Sequence, residues 1–224
     1  MRMEMAKIDF DQARFNMVEQ QIRTWNVLDM EVLEVLKSVP REGYVPDTYR
    51  DLAYTDMSIP IGHGEEMLHP KYQAHILHAL KPQAGDSVLQ VGVGTGYVCA
   101  LLAKMADRVY GVDVEPDFLK IASQNLAKQN VTNVILEEGD ASCGWSEHGP
   151  YDAIALTGAV EEINDAIKQE LKIGGRLFAF VGNAPTMQAV LVTRTGDHSW
   201  EEKCLFESEI PSLHHDRRPP EFDF

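Results

Sequence analysis

Apolar and polar positions follow two different periods along this chain, and the changes between them mark its zones. From 10 to 39 the apolar residues recur at helical spacing. Met17, Ile22 and Trp25 belong to a first helix, and Val32, Leu33, Val35 and Leu36 to a second that Asp29 can cap and Pro40 must stop. The stretch 40–70 keeps no period. It is rich in Pro, Gly, Tyr and His around Ile59-Pro-Ile-Gly-His-Gly64, and reads as an ordered loop leading to a ligand. A helix over 71–80 follows.

From residue 87 onward, short apolar runs alternate with helical stretches. Strands are predicted at 88–91, 109–113, 134–137, 153–157 and 177–181, with helices at 97–105, 116–128 and 161–171. This order predicts an α/β fold, a Rossmann-like doubly wound and mostly parallel sheet. Pro116 suits the first turn of its helix, and Gly174-Gly175 is expected to close the helix that precedes the strand at 177. Two last strands, 189–193 and 203–206, flank the turn Thr195-Gly-Asp-His-Ser199 and predict a C-terminal antiparallel hairpin on one sheet edge. The expected organisation is one compact domain: a helical N-terminal cap and covering loop over 1–80, a core over 81–207, and an irregular Pro-rich tail over 208–224.

Candidate chemistry enters at Val88-Leu-Gln-Val-Gly-Val-Gly-Thr-Gly-Tyr97. An apolar strand runs into Gly92, Gly94 and Gly96, where backbone can approach a ligand without a Cβ in the way. The next strand ends on Asp113, 21 residues beyond Gly92, placed to accept the two hydroxyls of a ribose. A dinucleotide fingerprint requires a third glycine that this chain lacks: counting from Gly92 it falls on Tyr97, and from Gly94 on Cys99. The spacing therefore points to S-adenosylmethionine. The candidate cofactor-binding residues are Gln90, Gly92, Gly94, Thr95, Gly96, Asp113 and Val114, joined by Met67 and by Asp140 and Ala141. Asp140 follows the third strand and is suited to an adenine amino group, or else to capping the residues after it.

Composition narrows the picture. With 224 residues and 44% hydrophobic content the chain can build one full core. It has no apolar run of membrane-spanning length, and the opening residues 1–10 lack a signal-peptide pattern, so a cytoplasmic location is expected. Cys99, Cys143 and Cys204 are too far apart for a zinc motif and read as buried reduced thiols. A formal charge of −15 disfavours a nucleic-acid partner, the strongest basic cluster being Arg217-Arg218. The pairs Glu137-Glu138, Glu161-Glu162 and Glu201-Glu202 read as solvated surface. His63, His69, His75 and His78 complete no ligand set, so no metal is expected, and metal-dependent methylation of catechols is a weak alternative. After the strand at 153–157 comes Gly158-Ala159, where amino-directed nucleic-acid methyltransferases would carry Asn or Asp, two prolines and an aromatic.

Several segments together resemble one family, the protein-L-isoaspartate O-methyltransferases. They are Met17-Val-Glu-Gln-Gln-Ile-Arg23, Val39-Pro-Arg-Glu42 with Tyr44-Val-Pro46, Ala53-Tyr54 with Ile59-Pro-Ile-Gly62, the glycine loop, Gly139-Asp140 with Gly144-Trp145, and the stretch 171–182. The resemblance spans most of the chain. It implies S-adenosylmethionine as methyl donor, S-adenosyl-L-homocysteine as product, and the misplaced carboxylate of isoaspartyl residues in damaged proteins as acceptor.

The family's loop reads Gly-Gln-Thr-Ile-Ser or close to it, whereas this chain reads Gly64-Glu65-Glu66-Met67-Leu68-His69-Pro70. Glu66 stands at the family's Thr position and Leu68 at its Ser position. A carboxylate acceptor is ionised at neutral pH and needs positioning, not a base. A like charge at about 4 Å opposes it by roughly 4 kcal/mol at an effective dielectric of about 20. His63, Glu66 and Leu68 are therefore the candidate catalytic-site residues. One reading gives His63 or Glu66 the role of general base for a hydroxyl or amine on another acceptor, protein or small molecule, or makes Glu66 an anchor for a cationic group. Another turns the two glutamates to solvent and keeps the isoaspartyl acceptor. A third makes the chain a non-catalytic protein that binds S-adenosylmethionine or its product.

Overall fold

The computed structural model describes residues 8–213. Asp9 caps α1 (Phe10–Asn16) by accepting the Gln12 amide at 3.1 Å. The helix does not end there. It widens into a π-helical turn over Met17–Ile22 and tightens over Arg23–Trp25, stopping at Asn26 in the left-handed region. Met17, Val18 and Ile22 are buried, while Trp25 is exposed and carries the Lys71 ammonium over its ring. As expected, Asp29 caps α2 (Met30–Ser38), accepting the Glu31 and Val32 amides at 3.0 and 3.3 Å.

The stretch expected to be loop is more structured. Short 3-10 turns at Arg41–Gly43 and Asp47–Leu52 lead to a hairpin of β1 (Ile59–Gly62) and β2 (Glu65–Met67), a two-stranded sheet of its own. Strands of four and three residues are too short for alternation to register in a sequence, which is why none was predicted. Pro70 occupies the first turn of α3 (Pro70–Leu80).

The main sheet follows. Its first half is β3 (Ser87–Val91), α4 (Tyr97–Ala103), β4 (Arg108–Asp113), α5 (Pro116–Lys128) and β5 (Val134–Glu138). Its second half is β6 (Tyr151–Val160), α6 (Asp165–Gln169), β7 (Leu171–Asn183), β8 (Thr186–Gly196) and β9 (Ser199–Ser208). Strand order is β5-β4-β3-β6-β7-β8-β9, parallel from β5 to β7 and antiparallel across β7, β8 and β9. The Rossmann-like sheet and the C-terminal hairpin are thus as predicted, with the hairpin strands longer. Because β3 pairs with β4 on one side and β6 on the other, the chain reverses direction of winding at β3. A crevice opens at its carboxyl end.

Two details of the second half differ from expectation. The helix predicted over 161–171 is the short α6, because Asn164 caps the Ala166 amide and the buried Leu171 already pairs with Tyr151 as strand. Gly174-Gly175 closes no helix; both lie in β7, where the register jumps from Tyr151↔Leu171 to Ala153↔Arg176. A Cβ on Gly175 would fall 2.8 Å from the Lys172 carbonyl and 3.1 Å from the Tyr151 carbonyl, so glycine is required by close backbone approach.

Of the cysteines expected to be buried, Cys99 is, while Cys143 and Cys204 are exposed because they fall on a surface turn and on the outermost strand. Among the described residues no helix is long and apolar enough to cross a membrane. Of the tail expected over 208–224 the structure describes 208–213, with Ser208 still in β9, and Arg217-Arg218 lies outside the described residues. Ser212 pairs in parallel with Ala159, so this part of the tail is anchored to the sheet.

Candidate active site

A cleft of about 1060 Å³, counted with its open mouth, lies over the carboxyl ends of β3, β4 and β6. Its floor is the glycine loop. Gly92 and Gly94 have φ of 83° and 53°, and a Cβ on Gly94 would fall 3.1 Å from the Ile61 Cδ1 of the hairpin that roofs it. The cleft brings together most of the expected cofactor set: Gln90, Gly92, Gly94, Thr95, Asp113, Val114, Asp140 and Ala141, with Met67 from the hairpin.

Gly96 does not join them. It precedes α4 with φ 88°, and a Cβ there would fall 3.0 Å from the Ala122 Cβ, so its role is to let α4 and α5 pack closely. Loop spacing alone could not separate a glycine that faces a ligand from one that faces a helix.

Asp113 is buried, and both its oxygens already hold backbone: Oδ2 accepts the Gly94 amide at 2.9 Å and Oδ1 the Glu115 amide at 3.0 Å. A carboxylate has about four acceptor positions, so two remain for ribose hydroxyls. Gln90 is nearly solvent-free. Its amide nitrogen donates to the Gly92 carbonyl at 3.0 Å, and its Oε1 is buried without a hydrogen-bond partner in a residue that lines the cleft. An orphaned acceptor in a buried site is a costly arrangement that a cationic or amino donor on a ligand would relieve. Asp140 Oδ1 accepts the Ser142 amide at 3.0 Å, realising the capping role while it lines the cleft.

The three candidate catalytic-site residues all line this cleft, each with different partners. His63, at the hairpin turn, leans onto the start of α5, with Nδ1 3.3 Å from Glu115 and Nε2 3.4 Å from Asp117. Both ring nitrogens thus face carboxylates. Glu66 is exposed, accepts the Ser58 hydroxyl, and borders both the main cleft and a smaller chamber shared with Leu68, His69, Glu209 and Pro211. Leu68 is buried, and its carbonyl accepts Arg41 Nη2 at 2.8 Å. That Arg41 guanidinium is fully buried and also binds the Ala53 carbonyl and Gln73 Oε1, fixing the hairpin's exit from below.

Sequence reasoning missed several residues of the site. Thr157 Oγ1 donates to the Val91 carbonyl at 2.8 Å, close to the Gly92 carbonyl as well, and ties β6 to the glycine loop. Pro211, Ser212 and Leu213 line the cleft from the tail, Ile61 from the roof and Phe118 from α5. His69 is oriented by Asp56, Nδ1 to Oδ1 at 3.1 Å, which Lys71 also approaches. The histidines bring no further ligand set from α3, where His75 packs on Phe206 with ring centroids 4.4 Å apart. Glu137, expected as plain surface, is held by Trp145 Nε1 at 2.6 Å and His148 Nε2 at 2.8 Å.

A doubly wound sheet with a glycine loop and an acidic residue at the end of the next strand defines a nucleotide-cofactor enzyme fold. The comparisons with known proteins narrow it. The family model for protein-L-isoaspartate(D-aspartate) O-methyltransferase (PCMT) matches residues 12–209, and the chain belongs to that family. Protein-L-isoaspartate O-methyltransferase 2 of Anaeromyxobacter sp. (strain Fw109-5) is 39% identical over 190 residues, 84% of this chain and 78% of the relative. The protein-L-isoaspartate O-methyltransferase of Gloeobacter violaceus (strain ATCC 29082 / PCC 7421) is 37% identical over 196 residues, 87% of this chain and 96% of the relative. Among solved structures, a protein-L-isoaspartate O-methyltransferase superposes with a TM-score of 0.77 at 23% identity, over 89% of this chain and 65% of that one. A Plasmodium falciparum chain described as a beta-aspartate methyltransferase (PCMT), in complex with S-adenosyl-L-homocysteine, gives 0.76 at 19% identity over 92% and 99%. Both show a shared fold.

Proposed function

We propose that this chain is a S-adenosylmethionine-dependent methyltransferase that esterifies isoaspartyl carboxylates of proteins. Family membership over 12–209 is the observation that carries the reading. The residues present fit the cofactor: the Gln90 acceptor suits the donor's ammonium, Asp113 its ribose, and the Gly92 and Gly94 backbone leaves the room a side chain would fill. When bound, S-adenosylmethionine supplies a sulfonium methyl to a nucleophile.

The chain's own residues then have a positioning task. An isoaspartyl carboxylate arrives ionised, so no side chain needs to take a proton from it. Buried Leu68 and Met67, with Leu213 opposite, exclude water and strengthen the nucleophile by removing its hydration. Arg41 holds the Leu68 backbone in place. Three unpaired cysteines fit a reducing compartment, in keeping with a cytoplasmic protein acting on other proteins.

A second reading has an observation of its own. Glu66 and Glu209 both border the small chamber beside Leu68, and the hydroxyl that lines it, Ser58, is given to Glu66; this favours a neutral or cationic acceptor. Transfer of labelled methyl to an isoaspartyl peptide, with the matching aspartyl peptide as control and cofactor binding measured alongside, separates the two. Base-labile label on the isoaspartyl peptide alone supports repair. Binding without transfer rejects it.

A further inference from the structure

The hairpin of β1 and β2 meets the cofactor-binding half of the molecule through Ile61, which packs over Gly94, and through a polar contact at its tip. His63 stands with its imidazole between two carboxylates at the start of α5, Nδ1 at 3.3 Å from Oε2 of the capping Glu115 and Nε2 at 3.4 Å from Asp117 Oδ2, its ring edge-on to Phe118. The carboxylates have these oxygens to give. Glu115 uses Oε1 to accept the Asp117 amide, and Asp117 uses Oδ1 for Lys120 at 2.9 Å. Approaching opposite ring nitrogens, the two acids are arranged to bridge an imidazolium, whereas a single metal ion could take only one of those nitrogens.

Position gives the contact its meaning. Glu115 follows Asp113 and Val114, and its own amide is held by Asp113 Oδ1, so one of the acids that grip His63 belongs to the loop that carries the ribose-accepting carboxylate and the other to the first turn of α5. On the other side, the hairpin supplies Ile61, Met67 and Leu68 to the roof of the cleft. The hairpin forms its own two-stranded sheet, its register is irregular between Pro60 and Gly62, and Gly62, His63 and Gly64 have φ of 103°, 52° and 76°. A turn with three successive residues in the left-handed region is set apart from regular strand and is built to carry its tip residue outward.

We propose that His63 is a cofactor-positioning clamp: protonated, it bridges Glu115 and Asp117, holds the hairpin over the cleft and slows escape of the bound cofactor or its product. The inference rests on the cleft being the S-adenosylmethionine site. An imidazolium donates to both carboxylates at once and a neutral imidazole to only one, so the clamp is stronger when the ring is charged. The charged groups around it are Glu115 and Asp117, Lys120 behind Asp117, and Glu65 next along the hairpin. Lys120 opposes the clamp and the three acids favour it.

The test is the dissociation rate of S-adenosyl-L-homocysteine from the full chain by stopped-flow, at pH 6.0 and 8.5. Wild type should release it about three to ten times faster at the higher pH, the scale of one or two partly exposed ion pairs. H63N, which suits the left-handed backbone, should be fast at both, and H63K, charged throughout, slow at both. H63N and D117N should be non-additive in a double-mutant cycle at pH 6.0. A pH-independent wild-type rate, an H63N profile like wild type, or additive effects would overturn the clamp. Absence of any binding by wild type would instead overturn the cofactor reading on which it rests.

Discussion

Leu213 donates its amide hydrogen to the Ala159 carbonyl at 2.8 Å, and Ala159 donates its own to the Pro211 carbonyl at 3.0 Å. These bonds strap the segment after β9 across the end of β6 and press the Leu213 side chain onto two glycines. A Cβ on Gly158 would fall 2.7 Å from Leu213 Cδ2 and 3.1 Å from its backbone nitrogen; one on Gly92 would fall 3.3 Å from Cδ2.

Gly158→Ala should therefore lift the strap from the cleft wall that Pro211, Ser212 and Leu213 form. Turnover is expected to fall by about tenfold or more, since a displacement near 1 Å at a reacting centre costs on that scale. Adding Leu213→Ala removes the side-chain part of the clash and should recover much of the loss. Steady-state kinetics on both variants check this, and equal activity of G158A and wild type would show that the strap does not bear on the acceptor.

Asp113 ties the glycine loop to the start of α5 through two amides. In Asp113→Asn the amide group presents an NH₂ to one of those donors, leaving a buried N–H unpaired at a cost of about 1–3 kcal/mol. Both thermal stability and affinity for S-adenosyl-L-homocysteine should drop, the first by melting and the second by calorimetry. A variant that loses affinity with an unchanged melt would restrict Asp113 to ligand binding.

The sheet was legible because its signals are local and repeated. Apolar runs such as that of β3, a glycine loop, Pro116 opening α5 and Asp29 capping α2 each announce themselves within a few residues. What was hidden depends on distant parts meeting. No local pattern says that Leu213 returns to Gly92, that Thr157 bonds the Val91 carbonyl, or that His63 reaches the start of α5. Gly174-Gly175 carried a misleading signal, since paired glycines serve a helix end and a tight bulge equally well. The Glu66 and Leu68 departures were visible in the sequence, but their directions were not: one side chain is exposed at a junction of two cavities, the other buried in the roof.

Arg41 is a fully buried cation to which no carboxylate among the described residues is bonded, satisfied by the Ala53 and Leu68 carbonyls and Gln73 Oε1. Burial lowers its pKa to about 10, so it remains charged at neutrality. The unfolded chain binds that proton more tightly, so this group makes stability rise with pH only between about 10 and 12.5 and leaves it flat below. Arg41→Lys keeps the charge but cannot span three acceptors, and should cost about 2–4 kcal/mol. Urea unfolding near pH 7 measures the loss.

His75 gives the opposite region of the pH scale its own slope. Packed on Phe206 and desolvated, with His78 and Lys71 adding like charge, its pKa is lowered to about 4. The unfolded chain takes up the proton first as pH falls from 6.5, so the neutral ring's contribution is complete above 6.5 and lost by about 4. Linkage would put this near 3 kcal/mol, which partial solvent contact reduces to about 1–2. In His75→Gln the stability difference from wild type should shrink by that amount between pH 7 and 4, as read from unfolding curves at each pH.

Glu66 tests acceptor charge most directly, because it borders both cavities and its carboxylate takes a hydrogen bond from Ser58, not from any cation the structure shows. An isoaspartyl carboxylate entering beside it meets a like charge, screened by the solvent that reaches this exposed side chain. At about 4 Å in a water-like dielectric the repulsion is about 1 kcal/mol, or some fivefold in binding. Glu66→Gln removes the charge and can keep accepting from Ser58. It should lower KM for an isoaspartyl peptide by about fivefold with kcat little changed, since ground state and transition state both feel the charge. A rise in KM would mean that Glu66 attracts part of the acceptor, and a basic residue next to the isoaspartyl position would then be the group it holds. Comparing peptides with lysine and with glutamate at that position, on wild type and E66Q, decides between repulsion and attraction.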